Sequence, residues 1–137
     1  MDADAAPNQI QELQKQLKLT FTTLKFSVRK TNEVINEGVE RELNREISAL
    51  SDLLDKVYVQ KAELLQLKVE AGTEENELAR WSDDMDAAAE EYEAIVKALR
   101  RRLLEVEEEA REAKFQREME NEEKLLEAET RRHDVRR

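Results

Sequence analysis

Leu78 to Leu99 reads LARWSDDMDAAAEEYEAIVKAL. Within it Leu78, Trp81, Met85, Ala88, Tyr92, Ile95 and Leu99 follow one another in steps of three and four. That spacing keeps one face of a 3.6-residue helix apolar and gives a heptad seam with large residues at a and d. Leu103 and Val106 carry the seam on with a slight drift. Ahead of it, Gly72 is a helix stop, Thr73 an N-cap, and Glu74, Glu75 and Glu77 complement the positive end of a third helix. Ser82-Asp83-Asp84 also has capping chemistry, so a kinked restart at that point is a second reading.

Working back from Gly72, Val39 to Val69 carries Leu43, Ile47, Leu50, Leu54, Val57 and Leu64 at helical spacing. Lys61 and Lys68 fall on that seam, so the pattern is expected to fade in its last turns. Asn36-Glu37-Gly38 breaks it from a first segment whose stripe is Ile10, Leu13, Leu17, Phe21, Leu24, Val28 and Ile35. Gly38 can take the left-handed conformation that ends a helix without a Cβ clash. Asn8 with Gln11 resembles a capping box. Thr20, Ser27 and Thr31 stand where a strict seam wants apolar side chains, while Leu19 and Phe26 widen the apolar surface toward more than one neighbour. Two helices of similar length joined this briefly form an antiparallel hairpin.

After Val106 the chain is mostly charged. Glu107–Arg111, Glu120–Lys124 and Glu127–Arg131 are i,i+4 pairs in the favourable order, each contributing about 0.2–0.5 kcal/mol. A helix from Glu74 to Asp134 would be about 90 Å long, roughly twice a hairpin arm, so its second half must project.

The expected fold is therefore all-α: an antiparallel helical hairpin packed on the first half of a long third helix, a three-helix coiled-coil-like bundle with a projecting charged helix. Residues 1–7 are read as a disordered N-terminus. Residues 8–106 are read as the bundle, with helices at about 8–36, 39–70 and 74–106, and residues 107–137 as the projection, frayed at its end. Two glycines and one proline in 137 residues leave so few breakers that helix is expected over more than about 80% of the chain. Asn8 to Asn36 holds five basic and two acidic residues, and Glu74 to Glu93 nine acidic residues and Arg80 alone. Those opposite charges favour the third helix lying beside the first.

Composition also bears on function. With no cysteine, disulfides and thiolate-zinc sites are excluded. The acidic start Met1-Asp2-Ala3-Asp4 lacks the basic and apolar regions of a signal peptide, and no apolar run approaches a membrane span. An intracellular, cytoplasmic location and no membrane partner are the default expectations. A net charge of −10 argues against phosphate-backbone binding. Lys97 with Arg100-Arg101-Arg102 is the densest basic patch, but Leu99 and Leu103 interleave it and acids follow at once, so salt-bridged helix surface is the simpler reading. His133 is the sole histidine and sits near the end of the projecting helix; a solvated residue explains it without a metal. Asp83-Asp84-Met85-Asp86 and Glu107-Glu108-Glu109 lack the turn glycine of a calcium loop. No pocket is implied that would split the pKa values of two carboxylates.

The residues thus point to a non-enzymatic protein with no cofactor, metal or catalytic site. Leu78, Trp81, Met85, Tyr92 and Leu99 are the expected core anchors, and Phe115, Met119, Leu125 and Leu126 the expected interaction residues. The expected partner is a second copy in a weak homodimer, with antiparallel tails bringing Glu107-Glu108-Glu109 to Arg131 and Arg132. The alternative is a monomeric adaptor or linker that binds another helical protein of the cytoskeletal or signalling kind.

The combination of segments resembles the Gag-like amino-terminal region of BEL/Pao-type retrotransposon polyproteins, as found in cnidarian and other animal genomes. The resemblance spans about residues 20 to 132. It rests on the basic-Thr element Val28-Arg29-Lys30-Thr31-Asn32, the Leu-rich helix Ile47 to Leu54, Ala79-Arg80-Trp81-Ser82-Asp83-Asp84 through Tyr92-Glu93, and the charged helix Leu103 to Arg132. In that family the charged helix leads toward a capsid-like domain, zinc knuckle, protease and polymerase. None of those motifs occurs in these residues, so the resemblance implies an assembly or spacer region and carries over no catalytic residue.

Overall fold

A computed structural model describes the backbone of residues 5–135 and the side chains of residues 8–133. The described residues are 95% helical, with no strand among them. Helix α1 spans Ala5–Ser27, a 3-10 turn covers Val28–Lys30, α2 spans Thr31–Glu37, α3 Glu40–Glu70 and α4 Glu75–Val135. The all-α hairpin with a long third arm is therefore as expected, with differences in detail.

The chain is already helical at Ala5, and Pro7 is accommodated in the first turn, where a missing N–H has no intrahelical partner to lose. Asn8 lies inside the helix, so the Asn8/Gln11 capping box is not used. Of the expected disordered stretch, residues 1–4 lie outside the described residues.

The first arm is not one helix. Thr22, Thr23 and Ser27 each donate a hydroxyl hydrogen bond to the carbonyl four residues back, at 2.9, 2.8 and 2.8 Å, and Thr20 shares its one hydroxyl hydrogen between the Gln16 carbonyl at 3.0 Å and a partner on α3. Such back-bonding competes with the backbone ladder and bends helices. The 3-10 turn follows directly, with Thr31 N–H bonded to the Val28 carbonyl. The polar positions on the first seam are thus used. Thr20 is buried, its hydroxyl also 2.8 Å from Gln60 Oε1 on α3, and Thr31 is buried and donates to Glu46 at 3.0 Å. These two bonds join the hairpin arms at two levels and fix their register, as a buried polar residue does in a coiled coil.

The two glycine stops differ. Gly72 (φ 80°) closes α3 with bonds from its own N–H to Val69 and from Thr73 N–H to Lys68, which satisfy the last carbonyls locally. Glu74, and not Thr73, receives a free N–H of the first turn of α4, from Asn76 at 3.3 Å. Gly38 (φ 61°) bonds back to Val34 only, and the Ile35 carbonyl is taken by Arg102 Nε of α4 at 2.9 Å.

Helix α3 packs against both α1 and α4. The core runs along it as Leu43, Leu50, Leu54, Val57 and Leu64, with Leu17 and Leu24 from α1 and Ala89, Val96 and Leu99 from α4. The seam turns slightly between Val57 and Leu64. Gln60 is buried, while Lys61 lies at the edge and pairs with Asp86 of α4. Lys68 places its ammonium 4.7 Å from the centre of the Trp81 ring. The two seam lysines therefore tie α3 to α4 where an apolar seam was expected to lapse.

Helix α4 is unbroken through Ser82-Asp83-Asp84. Its buried stripe includes Ala89 and Val96, whereas Ala88 and Ile95 are half-buried. Met85, Tyr92 and Leu99 recur every seven residues and belong to both readings of the stripe. The Val96 side shares a groove with Leu54 and Tyr58 of α3, and Trp81 and Met85 share one with Leu17 and Phe21 of α1. The Phe21 and Tyr92 rings are 6.3 Å apart. Contact between α1 and α4 is thus apolar. Among the described residues no ion pair joins them, so the opposite charges of the two segments are not realised as bridges there.

Candidate association surface

Of the anchors expected for α4, Trp81, Met85, Tyr92 and Leu99 pack on the core, in unequal depth. Leu99 is fully buried, and Leu78, Trp81, Met85 and Tyr92 are half-buried. Arg102, three residues beyond Leu99, marks the end of the fully buried core, with Leu103 and Val106 still half-buried against it. Its guanidinium bonds the Ile35 carbonyl, pairs with Glu105 at 3.2 Å, and lies so close to Gly38 that a Cβ there would stand 2.5 Å from Nη2. The basic patch is therefore divided: Arg102 is a cap for α2, and Lys97, Arg100 and Arg101 remain exposed.

Tyr58 and Glu93 form a third tie between α3 and α4, the phenol donating to the carboxylate. Burial against α4, then that hydrogen bond, then the charges of Glu93, Asp86 and Glu90 push the Tyr58 pKa up to about 12. Burial first, then Glu91, raises that of Tyr92.

Beyond Glu107 every described side chain of α4 is exposed, Phe115 at 60%, Met119 at 44%, Leu125 at 66% and Leu126 at 61%. Of the three expected i,i+4 pairs in this region none forms; Arg111 instead pairs with Glu108 one turn back, at 3.4 Å. The core-facing stripe runs out through Ala110 and Ala113 into Arg117. At ~100° per residue, Phe115, Met119 and Leu126 lie roughly 160–200° around the helix from Leu99. They are thus a separate outer face, which Leu104, 63% exposed, begins within the bundled half. Leu125 stands to one side. Sequence reading missed Leu104, although projecting the chain onto a helical wheel from Leu99 would have found it.

On α1 the expectation that Leu19 and Phe26 widen the packed surface is corrected. They are 57% and 68% exposed on the side away from the core, with Arg29 stacked 4.7 Å from the Phe26 ring centre. No helix of the described residues is long and apolar enough to cross a membrane. His133 is exposed, and among the described residues no three metal-ligating side chains converge.

The class these features define is an all-α bundle with a solvent-exposed helical extension. No family model, curated protein or solved structure matches the chain.

Proposed function

We propose that the protein is a non-enzymatic association module whose bundle serves as a base and whose α4 extension makes the contact, joining one copy to another. The observation that carries this reading is the outer face of α4, where Phe115, Met119 and Leu126 are held in solvent on a helix with no neighbour. Large apolar side chains displayed in a row mark binding surfaces. Interspersed carboxylates limit the apolar area, so pairing should be weak, with a dissociation constant in the micromolar range or above, about 8 kcal/mol or less. The resemblance to Gag-like regions of retrotransposon polyproteins favours the same reading, as an assembly or spacer segment.

Sedimentation equilibrium on the full chain and on a chain lacking residues 107–137 tests it. The buried core lies wholly before that cut, so the shortened chain should remain folded. A monomer–dimer equilibrium that the deletion abolishes is the expected result. Dimerisation surviving the deletion moves the interface to the bundle. A strictly monomeric full chain replaces self-assembly with an adaptor that binds a different helical protein.

A further inference from the structure

The outer faces of α1 and α4 are both unpartnered, and their charges are opposite. Between Lys15 and Lys30 the chain has five basic residues and no acidic one. Lys15, Leu19 and Phe26 fall on one side of α1 at helical spacing, Lys30 follows in the 3-10 turn, and all four are exposed. From Glu105 to Glu129 there are eleven acidic and four basic residues. Glu118 and Glu122 lie along one flank of the outer face and line a shallow groove with Phe115 and Met119, and Arg111 on the same flank is already engaged with Glu108. Leu19 and Phe26 are seven residues apart, as are Met119 and Leu126, so both stripes repeat at two turns, about 10 Å.

The tail cannot reach its own α1. It continues the same helix past the Gly38 corner, where Arg102 bonds the Ile35 carbonyl, and the α1 face points away from the core. We infer that the outer face of the α4 extension docks on the Lys15–Lys30 face of α1 in a second copy. This rests on the self-association reading above and names the surface that the extension meets. The lengths fit a reciprocal arrangement: the 29 residues after Val106 extend about 43 Å, and the arm from Ala5 to Glu37 about 50 Å. Two chains lying antiparallel then place each extension along the other's bundle and make the same contact twice, which closes the assembly as a dimer. Lysines rimming Leu19 and Phe26 meet glutamates rimming Met119 and Leu126. Association of this kind weakens as salt rises.

Charge reversal on the full-length chain tests the contact by sedimentation equilibrium, with circular dichroism to confirm that each variant is folded. Lys15→Glu with Lys30→Glu makes the α1 face acidic, and Glu118→Lys with Glu122→Lys makes the tail face basic. Each variant alone should dimerise about tenfold or more weakly than the unaltered chain, because like charges now meet in both contacts. An equal mixture of the two should dimerise as the unaltered chain does, since both contacts again join opposite charges. If the α1 variant dimerises normally, the extension pairs elsewhere; this inference falls and the association reading stands. If neither mixture nor single variant dimerises, the contact is likewise wrong. A full chain that is monomeric at every concentration overturns both readings. Where such a monomer binds phosphatidylcholine vesicles containing phosphatidylserine, and the α1 variant does not, the occupant of the α1 face is a lipid surface.

Discussion

From Glu75 to Val106, α4 is held by what it packs against; from Glu107 on, the same helix is held by its own residues. The first half sets Ala89, Val96 and Leu99 into the hairpin and is tied at its edges by Lys61, Lys68 and Tyr58. The second half has a single ion pair among its described residues, between Arg111 and Glu108, both exposed. Exposed pairs of that kind contribute only about 0–1 kcal/mol. Helix propensity and continuity with a packed half maintain the extension, because elongating an existing helix avoids the cost of nucleation. One helix can therefore serve as a core element and as a display element, and the change comes where packing partners end, just after Val106.

The contrast can be broken most directly at Leu99. Leu99→Ala removes a fully buried side chain from the core and should cost about 3–5 kcal/mol in urea unfolding. A loss below about 1 kcal/mol would mean that the packed half is as loose as the extension.

Trp81→Ala should follow at about 2 kcal/mol, less than a fully buried indole would cost, because the ring lies at the rim under Lys68. Tryptophan fluorescence that is fully solvated and freely quenched would deny Trp81 its place in the packed half.

Gly38→Ala comes next. A left-handed conformation costs a residue with Cβ about 1–2 kcal/mol, and here the new Cβ also displaces Arg102 from the Ile35 carbonyl. Gly72→Ala meets no atom within 4 Å and should show the backbone cost alone. Equal losses at the two glycines would show that Arg102 swings aside freely.

Raising the pH should loosen the packed half selectively. Tyr58 has a folded-state pKa of about 12 against an ordinary value of 10.0. The folded state thus keeps its proton where the unfolded chain has lost it, so this contribution is complete below the ordinary value and is lost as pH rises through the folded one. Phenolate absorbance should appear late in native titrations, and Tyr58→Phe should flatten this alkaline loss of stability. Onset at the ordinary tyrosine value would place Tyr58 in free solvent.

The smallest effect belongs to the extension. Leu126→Ser should change the stability of one copy by no more than about 0.5 kcal/mol, since the side chain is exposed and packs on no part of the core. A larger loss at concentrations where the chain is monomeric would mean that the extension folds back.

The sequence by itself determined that the chain is helical, where glycine ends its helices, and that α4 outruns its neighbours. Those features depend on 3.6-residue periodicity, on the φ range open to glycine and on rise per residue, all of which are local. It did not distinguish Gln60 from Lys61, or Ala89 and Val96 from Ala88 and Ile95, because a stripe anchored every seven residues fits either flank. Only the position of α4 against both α3 and α1 decided that choice. Nor does any local pattern reveal that Thr20 meets Gln60 or that Arg102 caps a helix 67 residues earlier in the chain. Those hydrogen bonds exist because the hairpin brings distant turns level, and burial then requires each polar group to find a partner there.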